Sequence, residues 1–230
     1  MTTTIPTLGY ADLRGLMDLQ LGDEKHAPSA TSTLDVLWVL YDRILRIDPD
    51  RVDDPDRDRF LLSKGHGPMA YYAVLAAKGF IDVAALRTFG RYDSKLGHHP
   101  DRNLVPGIEI SSGSLGHGLG IGVGIALGLR ARRSSGRVFC LVGDAELDEG
   151  SNHEAIAFAG HVGLDNLVCV AVDNQSSSHG WPAGIAKRFA LEGWSTATVD
   201  GRDHRALERA FTAERRGRPH AVVAVVESKG

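Results

Sequence analysis

The chain has 230 residues, of which 43% are hydrophobic, and a formal net charge of −3. This size allows one sizeable core, so we expect a single domain over residues 1–230, and the balanced charge argues against a general nucleic-acid binder. No apolar run approaches the roughly 18–20 residues of a membrane-spanning helix, and residues 1–5 lack the features of a secretory signal. Cys140 and Cys169 lie in apolar runs, where buried reduced thiols are expected. We therefore expect no membrane association and a cytoplasmic location.

The first part of the chain predicts mainly helices. An amphipathic segment covers about residues 8–21, and an apolar helix is predicted over 34–47, with Ser32 and Thr33 as candidate caps. The next predicted elements are a short strand and two helices, at 60–62, 68–78 and 83–89.

The middle of the chain predicts a strand, a helix and a second strand in succession. Short apolar runs rich in β-branched residues indicate buried strands at 137–142 and 166–172. Apolar residues at helical spacing predict a helix over 149–162, which Gly163 is placed to end. Such a crossover returns the chain to a nearby parallel strand.

The last predicted elements are a strand, a polar helix and a strand, at 195–199, 204–216 and 221–226. Strands that alternate with helices indicate an α/β fold, with a central, mainly parallel sheet and helices on both faces.

Asp144 and Asn174 each come just after one of the two buried strands in the middle of the chain. Open α/β sheets bind ligands at the edge where the carboxyl ends of their strands meet. A carboxylate, an amide oxygen and a nearby backbone carbonyl make a partial shell that suits Mg²⁺, which takes its other ligands from water and phosphate. The alternative is a helix cap and a turn residue with no ligand. We favour a metal–diphosphate site, because both strand ends carry an oxygen ligand.

The sequence contains two glycine-rich segments, and the first could bring backbone N–H groups close to an anion. Residues 63–67, SKGHG, lie between a predicted strand and a predicted helix, where N–H groups favour phosphate and His66 could donate as well. Residues 111–124, SSGSLGHGLGIGVG, predict a turn and then a helix that continues to about residue 133. Each segment alone is weak support, because glycines also serve close helix packing and a lone histidine is more often structural.

Together, these segments resemble the thiamine diphosphate enzymes, and within them the amino-terminal, diphosphate-binding half of transketolase. The family's Gly-Asp-Gly and later Asn match residues 143–174, its Ser-x-Gly-His run matches 63–66, and its Thr-Gly-x-Leu-Gly-Gln-Gly segment matches 112–118. Residues 97–100 and 200–204 also match, so the resemblance covers nearly the whole chain. It implies a thiamine diphosphate-binding fold in one transketolase-like diphosphate-binding domain.

The resemblance also implies which residues bind the cofactor. The implied metal ligands are Asp144, Asn174 and the backbone carbonyl of Ser176. The implied cofactor contacts are His66, Gly113, Ser114, Leu115, Gly143, Asp144, Ala145, Glu146 and Asn174. Ala145 replaces the family's second Gly, and its methyl group is compatible with the cofactor only if this position does not need a positive φ. His117 replaces the usual Gln, and its role stays open.

The implied catalytic residues are His26, His66, His99 and Glu149. Imidazoles titrate near neutral pH and can polarise substrate oxygens or exchange protons with them. For His26 and His99 the alternative is a solvated loop histidine, and His98 replaces a family Gly. Glu149 matches an acidic residue that lies near the subunit interface in relatives; the alternative is a favourable charge in the first turn of a helix.

The resemblance implies a two-carbon ketol transfer from a ketose to an aldehyde acceptor, with thiamine diphosphate and Mg²⁺ as cofactors. The family activates the cofactor with a glutamate from a pyrimidine-binding domain, for which this chain is too short. We therefore expect a separate partner, a carboxyl-terminal transketolase subunit, in an α2β2 heterotetramer that acts on a sugar or keto-sugar. The alternatives are a component related to deoxyxylulose-phosphate synthase or a keto-acid dehydrogenase, and a catalytically silent regulatory homologue.

Overall fold

The computed structural model describes residues 8–215 and 217–228, without the side chain of residue 24. Within those residues five parallel strands form one sheet, in the order β1-β2-β3-β5-β4. The strands are β1 (Arg59–Leu62), β2 (Val138–Gly143), β3 (Leu167–Asp173), β4 (Ser195–Asp200) and β5 (His220–Val225). Their positions and parallel direction agree with the predicted α/β fold.

The connecting segments are mainly helical. The α-helices are α1 (Leu13–Met17), α2 (Ala27–Val39), α3 (Met69–Ala77), α4 (His117–Ala131), α5 (Gly150–His161), α6 (Ile185–Leu191) and α7 (His204–Thr212). A π-helical turn, Leu40–Ile44, extends α2. Short 3₁₀ turns cover Tyr10–Asp12, Glu24–His26, Pro49–Arg51, Val83–Thr88 and Ala145–Asp148.

Helices pack on both faces of the sheet, as predicted. Successive side chains of a strand point to opposite faces. In β2, Phe139 and Leu141 accordingly join a hydrophobic cluster with α2, α3 and α7. Cys140 and Val142 join a second cluster with α4, α5 and α6. Because both faces are covered, the central strands β2 and β3 are almost entirely buried and have continuous apolar sequences.

The predicted strand–helix–strand unit is β2, α5 and β3. The two strands are direct neighbours, with Gly143 paired to Val172. The backbone N–H of Asp144 donates to the carbonyl of Val172 over 3.0 Å. The ends of β2 and β3 therefore lie side by side, which brings Asp144 and Asn174 to the same edge of the sheet.

The predicted start of the long apolar helix is wrong. α2 begins at Ala27, with Pro28 in its first turn, where a missing N–H costs nothing. Ser32 and Thr33 are not caps but interior helix residues, whose hydroxyl groups donate to the carbonyls of Ser29 and Ala30. A buried Ser or Thr can satisfy its hydroxyl in this way inside a helix.

Other elements differ from the predictions in extent. The segment predicted as a helix over 83–89 is the 3₁₀ turn Val83–Thr88, and the predicted amphipathic segment contains only a 3₁₀ turn and α1. α6 has no counterpart among the predicted elements. α7 ends at Thr212, four residues before the predicted end. The predictions for residues 1–5 and for residue 216 concern positions outside the described residues.

The two cysteines are buried and not disulfide-bonded, as predicted, in the central strands β2 and β3. Burial raises the pKa of both thiols, so they stay protonated and unreactive. In the part of the chain that the structure describes, no helix has the length and apolar character needed to cross a membrane.

Candidate functional site

A cavity of about 80 Å³ lies at the carboxyl edge of the sheet, beside the ends of β2 and β3. Its lining residues come from the predicted segments and from α2: Ser29, Lys64, His66, Leu115, Gly143, Asp144, Ala145, Glu146, Val172, Asn174 and Ser176. Segments far apart in the sequence therefore meet at one place, and this place is the edge where open α/β sheets bind ligands.

Asp144 and Asn174 are both buried at this edge, with 2% and 5% of their surfaces exposed. The side-chain oxygen Oδ1 of Asn174 has no hydrogen-bond partner among the described residues. A buried amide oxygen without a partner costs about 1–3 kcal/mol, so we expect a water molecule or a ligand to contact it. No cluster of three or more His, Cys, Asp or Glu suited to a metal occurs in the described ranges. A carboxylate with an unpaired amide oxygen nevertheless fits Mg²⁺, which needs few protein ligands.

The loop after β3 contacts the Asp144 carboxylate directly. The backbone N–H and the hydroxyl of Ser176 donate to its two oxygens over 2.6 and 2.7 Å, and the N–H of Ser177 donates over 3.1 Å. Ser176 therefore lies next to the predicted metal position. Its contacts with Asp144 are made by its N–H and hydroxyl groups and not by the backbone carbonyl that is the predicted metal ligand. Gln175, which precedes it, has a positive φ of 59°, so the loop makes a sharp turn here.

The backbone at Ala145 does not need a positive φ, which is the condition for an alanine at this position. It begins the 3₁₀ turn that follows Asp144, and it is not among the described residues with positive φ. An alanine is therefore compatible with this backbone. Ala145 lines the cavity together with Gly143.

Glu146 is buried under the glycine-rich turn, with 2% of its surface exposed. Its carboxylate accepts hydrogen bonds from the hydroxyl of Ser63 and from the N–H groups of Gly116 (2.9 Å) and Gly143 (3.2 Å). Burial raises the pKa of Glu146, and these hydrogen bonds partly oppose that effect. One side chain thus joins the ends of β1 and β2 to the turn before α4.

The turn of residues 113–116 forms another wall of the site. Gly113 and Gly116 have positive φ values of 133° and 84°, which glycine adopts without strain. Ser114 is hydrogen-bonded to Nδ1 of His117 over 2.9 Å, which gives His117 a role in holding the turn. Leu115 lines the cavity and remains 40% exposed, so it offers an apolar surface to a ligand.

Two of the predicted catalytic histidines, His26 and His66, lie close together, and His66 lines the cavity. Their ring centroids are 5.4 Å apart. His99 is exposed and lies against the glycine-rich segments: a Cβ built on Gly65 would approach its Cδ2 to 2.9 Å, and one built on Gly113 to 3.4 Å. The three histidines therefore surround the same part of the sheet edge.

Glu149 does not line the cavity. It is an exposed residue at the N-cap position of α5, and its side chain makes no capping hydrogen bond. A Cβ built on Gly116 would come within 2.6 Å of the Cβ of Glu149, so this residue packs on the outer side of the glycine-rich turn. Its surface position agrees with either interpretation of its sequence, an interface residue or a charge in the first turn.

The structure adds Lys64 and Ser29, which the sequence does not single out. Lys64 is buried, and its Nζ donates to the carbonyl of Ser29 over 2.8 Å and to the hydroxyl of Ser32 over 3.2 Å. Its positive charge lies on the same cavity wall as Asp144 and Glu146 and would attract a diphosphate. The position of Lys64 inside the SKGHG segment is the signal that could have identified it.

Residues 17–227 match the family described as the transketolase, thiamine diphosphate binding domain. Among curated proteins, the chain is 55% identical over 218 residues to ferredoxin fas2 of Rhodococcoides fascians, a match that covers 94% of this chain and 72% of that protein. It is 35% identical over 206 residues to one of the subunits of apulose-4-phosphate transketolase from Actinobacillus succinogenes, with 86% and 75% covered.

Among solved structures, the chain superimposes on transketolase from Pichia stipitis, in a complex with sedoheptulose 7-phosphate, with a TM-score of 0.79 and 26% identity. The match covers 94% of this chain and 36% of that one, so the chain spans about a third of a full transketolase. The matching family, the fold and the residues gathered at the sheet edge agree, and the chain belongs to the transketolase thiamine diphosphate-binding domain family.

Proposed function

We propose that this chain is the amino-terminal subunit of a two-component transketolase, which transfers a two-carbon ketol unit from a ketose to an aldehyde acceptor. In this proposal the chain forms one diphosphate-binding domain and binds Mg²⁺ and the cofactor diphosphate. The observation that carries the proposal is the buried, unpaired Oδ1 of Asn174, a residue that lines the same cavity as Asp144 at the ends of β2 and β3. A metal ion bound between these side chains would satisfy that oxygen.

Different residues of the cavity would bind different parts of the cofactor. Asp144, Asn174 and the backbone carbonyl of Ser176 would hold Mg²⁺, while Lys64 and His66 would donate to the diphosphate. Thiamine diphosphate, when bound, supplies the nucleophilic carbon and the electron sink for cleavage next to a ketose carbonyl. The backbone of Gly143 and Ala145 and the turn of residues 113–115 would line the cofactor, and Glu146 holds that turn in place.

The histidines would accept protons from the substrate and donate protons to it. His26 and His66 lie with their rings 5.4 Å apart, close enough for both to contact one substrate hydroxyl or carbonyl group. His99 lies against Gly65 on the same side of the sheet. Neutral imidazoles can accept a proton and imidazolium ions can donate one near pH 7, which suits the proton transfers of ketol transfer.

The rest of the active site would come from a partner subunit. The chain spans 36% of the matched Pichia stipitis transketolase, and relatives of similar extent are named as subunits. We infer that the partner carries the pyrimidine-binding domain and its activating glutamate, and that the complex is an α2β2 heterotetramer in the cytoplasm. Glu149, exposed at the start of α5, would then lie near the interface.

The substrate would be a sugar or keto-sugar. One relative is named for apulose 4-phosphate and another, from a Clostridium strain, for 6-deoxy-6-sulfo-D-fructose. In this proposal the buried Lys64 serves the cofactor, and His66 contacts both the cofactor and the reacting end of the substrate. The partner would therefore recognise the far end of the sugar.

The name of the 55% identical relative suggests electron transfer, but this chain does not fit an iron–sulfur protein. Iron–sulfur clusters are typically held by four cysteine thiolates. The chain has two cysteines, and both are buried thiols in the central strands. The match to that relative therefore does not support iron–sulfur chemistry in this chain.

Titration calorimetry with thiamine diphosphate and Mg²⁺, in the presence of the partner, tests the proposal. We expect uptake of cofactor that depends on the metal, and ketol transfer that requires both chains. A silent homologue would show no metal-dependent uptake. Full ketol transfer by this chain alone would contradict the two-component arrangement. A screen of ketose and 2-keto acid donors with the complex would distinguish transketolase from the synthase and dehydrogenase alternatives.

A further inference from the structure

A buried carboxylate lies behind two histidines at the edge of the site. Asp23, in the loop before α2, is 4% exposed. Its Oδ1 is 2.5 Å from Nδ1 of His26, and its Oδ2 is 3.7 Å from Nδ1 of His98. The second distance is too long for a hydrogen bond, and Oδ2 has no hydrogen-bond partner among the described residues.

The contact between Asp23 and His26 determines which nitrogen of the ring carries the proton. An ionised carboxylate can only accept hydrogen bonds. Beside the ionised form of Asp23, the protonated nitrogen of His26 is Nδ1, and in the neutral ring Nε2 is left as the acceptor. This arrangement of carboxylate and imidazole fixes the orientation and the tautomer of a histidine ring.

We propose that Asp23 is a positioning residue that holds His26 with Nδ1 protonated, so that Nε2 is available as a base for the substrate. His98, whose side chain is 51% exposed, lies on the other side of the carboxylate, where its imidazolium form would balance the buried charge. The inference rests on the proposed ketol transfer only for the identity of the substrate. The state of the ring itself is a property of this chain.

A purely structural role for Asp23 is the competing explanation. The backbone carbonyl of Asp23 accepts a hydrogen bond from the N–H of His26 over 2.9 Å, which closes the 3₁₀ turn before α2. This backbone hydrogen bond does not need the carboxylate. If the side chain only supported the turn, its removal would lower stability and leave the chemistry of His26 unchanged.

Nitrogen-15 NMR of the histidine rings in the full chain tests the assignment directly. We expect Nδ1 of His26 to keep its proton on both sides of the titration, so that Nε2 alone changes state. In Asp23→Asn this preference should weaken, because the amide can present either its oxygen or its NH₂ group to the ring. The control Asp18→Asn changes an exposed carboxylate in the preceding loop and should leave the His26 spectrum unchanged. A neutral wild-type ring protonated at Nε2 would overturn the proposal.

Kinetics of the assembled complex provide the second test. We expect Asp23→Asn to lower kcat by about 10- to 100-fold, the range seen when a residue that orients a functional histidine is lost, while KM changes little. In a His26→Gln background the same substitution should have almost no further effect, because it acts through His26. Independent effects of the two substitutions would refute the inference. Absence of ketol transfer by the wild-type complex would refute the proposed function instead, and the NMR result would still stand.

Discussion

Two glycines on α4, Gly118 and Gly120, should respond in opposite ways to substitution by alanine. An ideal Cβ on Gly118 would lie 2.3 Å from the Cβ and the Oγ of Ser63 and 2.8 Å from its Cα. An ideal Cβ on Gly120 has nothing within 4 Å, and this residue is exposed. Both residues are in α4, so helix propensity favours alanine over glycine at both positions.

The expected magnitudes follow from these contacts. Gly120→Ala should stabilise the chain by about 0.5–1 kcal/mol, the usual difference between Gly and Ala inside a helix. Gly118→Ala should destabilise it, because overpacking of this kind costs about 1–3 kcal/mol. The clash would also move the hydroxyl of Ser63, which accepts from the N–H of Gly118 over 2.9 Å and donates to Glu146. Hydrogen bonds of this kind add about 1 kcal/mol each to the loss.

Urea denaturation of the full chain, followed by circular dichroism, measures both changes under identical conditions. We expect the unfolding midpoint of Gly120→Ala to rise and that of Gly118→Ala to fall, with a difference of at least about 1 kcal/mol in the free energy of unfolding. Gly122→Ala is an intermediate control, since its Cβ would meet Leu167 and Val138 at 3.6 Å, which is ordinary contact. Equal shifts for Gly118 and Gly120 would refute the packing argument.

Three further predictions concern the cofactor and the core. Asn174→Ala should weaken metal-dependent cofactor binding by at least about tenfold in calorimetry, because the proposed metal ion loses one of its ligands. The control Asn103→Ala, at an exposed position, should not change the affinity. Equal affinities for the two variants would contradict the metal assignment. Ala145→Gly should leave cofactor affinity within about twofold of the wild type, because φ at this position is not positive, and a large gain in affinity would show that the methyl group obstructs the cofactor. Burial lowers the pKa of His220, so its contribution to the free energy of unfolding is present above about pH 6.5 and is lost as the pH falls, because the unfolded state then binds the extra proton. Denaturation as a function of pH should show this loss of stability in the wild type and a smaller loss in His220→Gln. The control His161→Gln, at an exposed position, should behave like the wild type. Identical profiles for all three proteins would contradict the prediction.

The sequence allowed prediction of the strands because the sheet is buried on both faces. Continuous apolar runs such as 137–142 occur where helices cover both sides of a parallel strand, and each run ends at a polar residue where the sheet ends. Asp144 and Asn174 could therefore be placed at one edge without coordinates. The start of α2 was harder to predict, because Ser32 looks like a cap in the sequence although its hydroxyl bonds to the carbonyl of Ser29.

Parts of the site depend on contacts that leave no pattern in the sequence. Asp23 is one acidic residue in a polar segment, and only the fold places its carboxylate against His26 and His98. Lys64 is inside a segment that the sequence does single out, but its burial against α2 follows from how β1 and α2 pack. Contacts between distant segments, such as Ser63 with Glu146, cannot be derived from local periodicity.

The serine donors on Asp144 stabilise this carboxylate when no cofactor is bound. Two N–H groups and one hydroxyl, from Ser176 and Ser177, stabilise a carboxylate that would otherwise be a costly isolated charge in the interior. In the proposed function, a cation that binds this carboxylate would compete with these donors for the same oxygens, so its net affinity would be the difference between two sets of bonds. Three donors from one short loop would therefore lower the net affinity of this carboxylate for a cation.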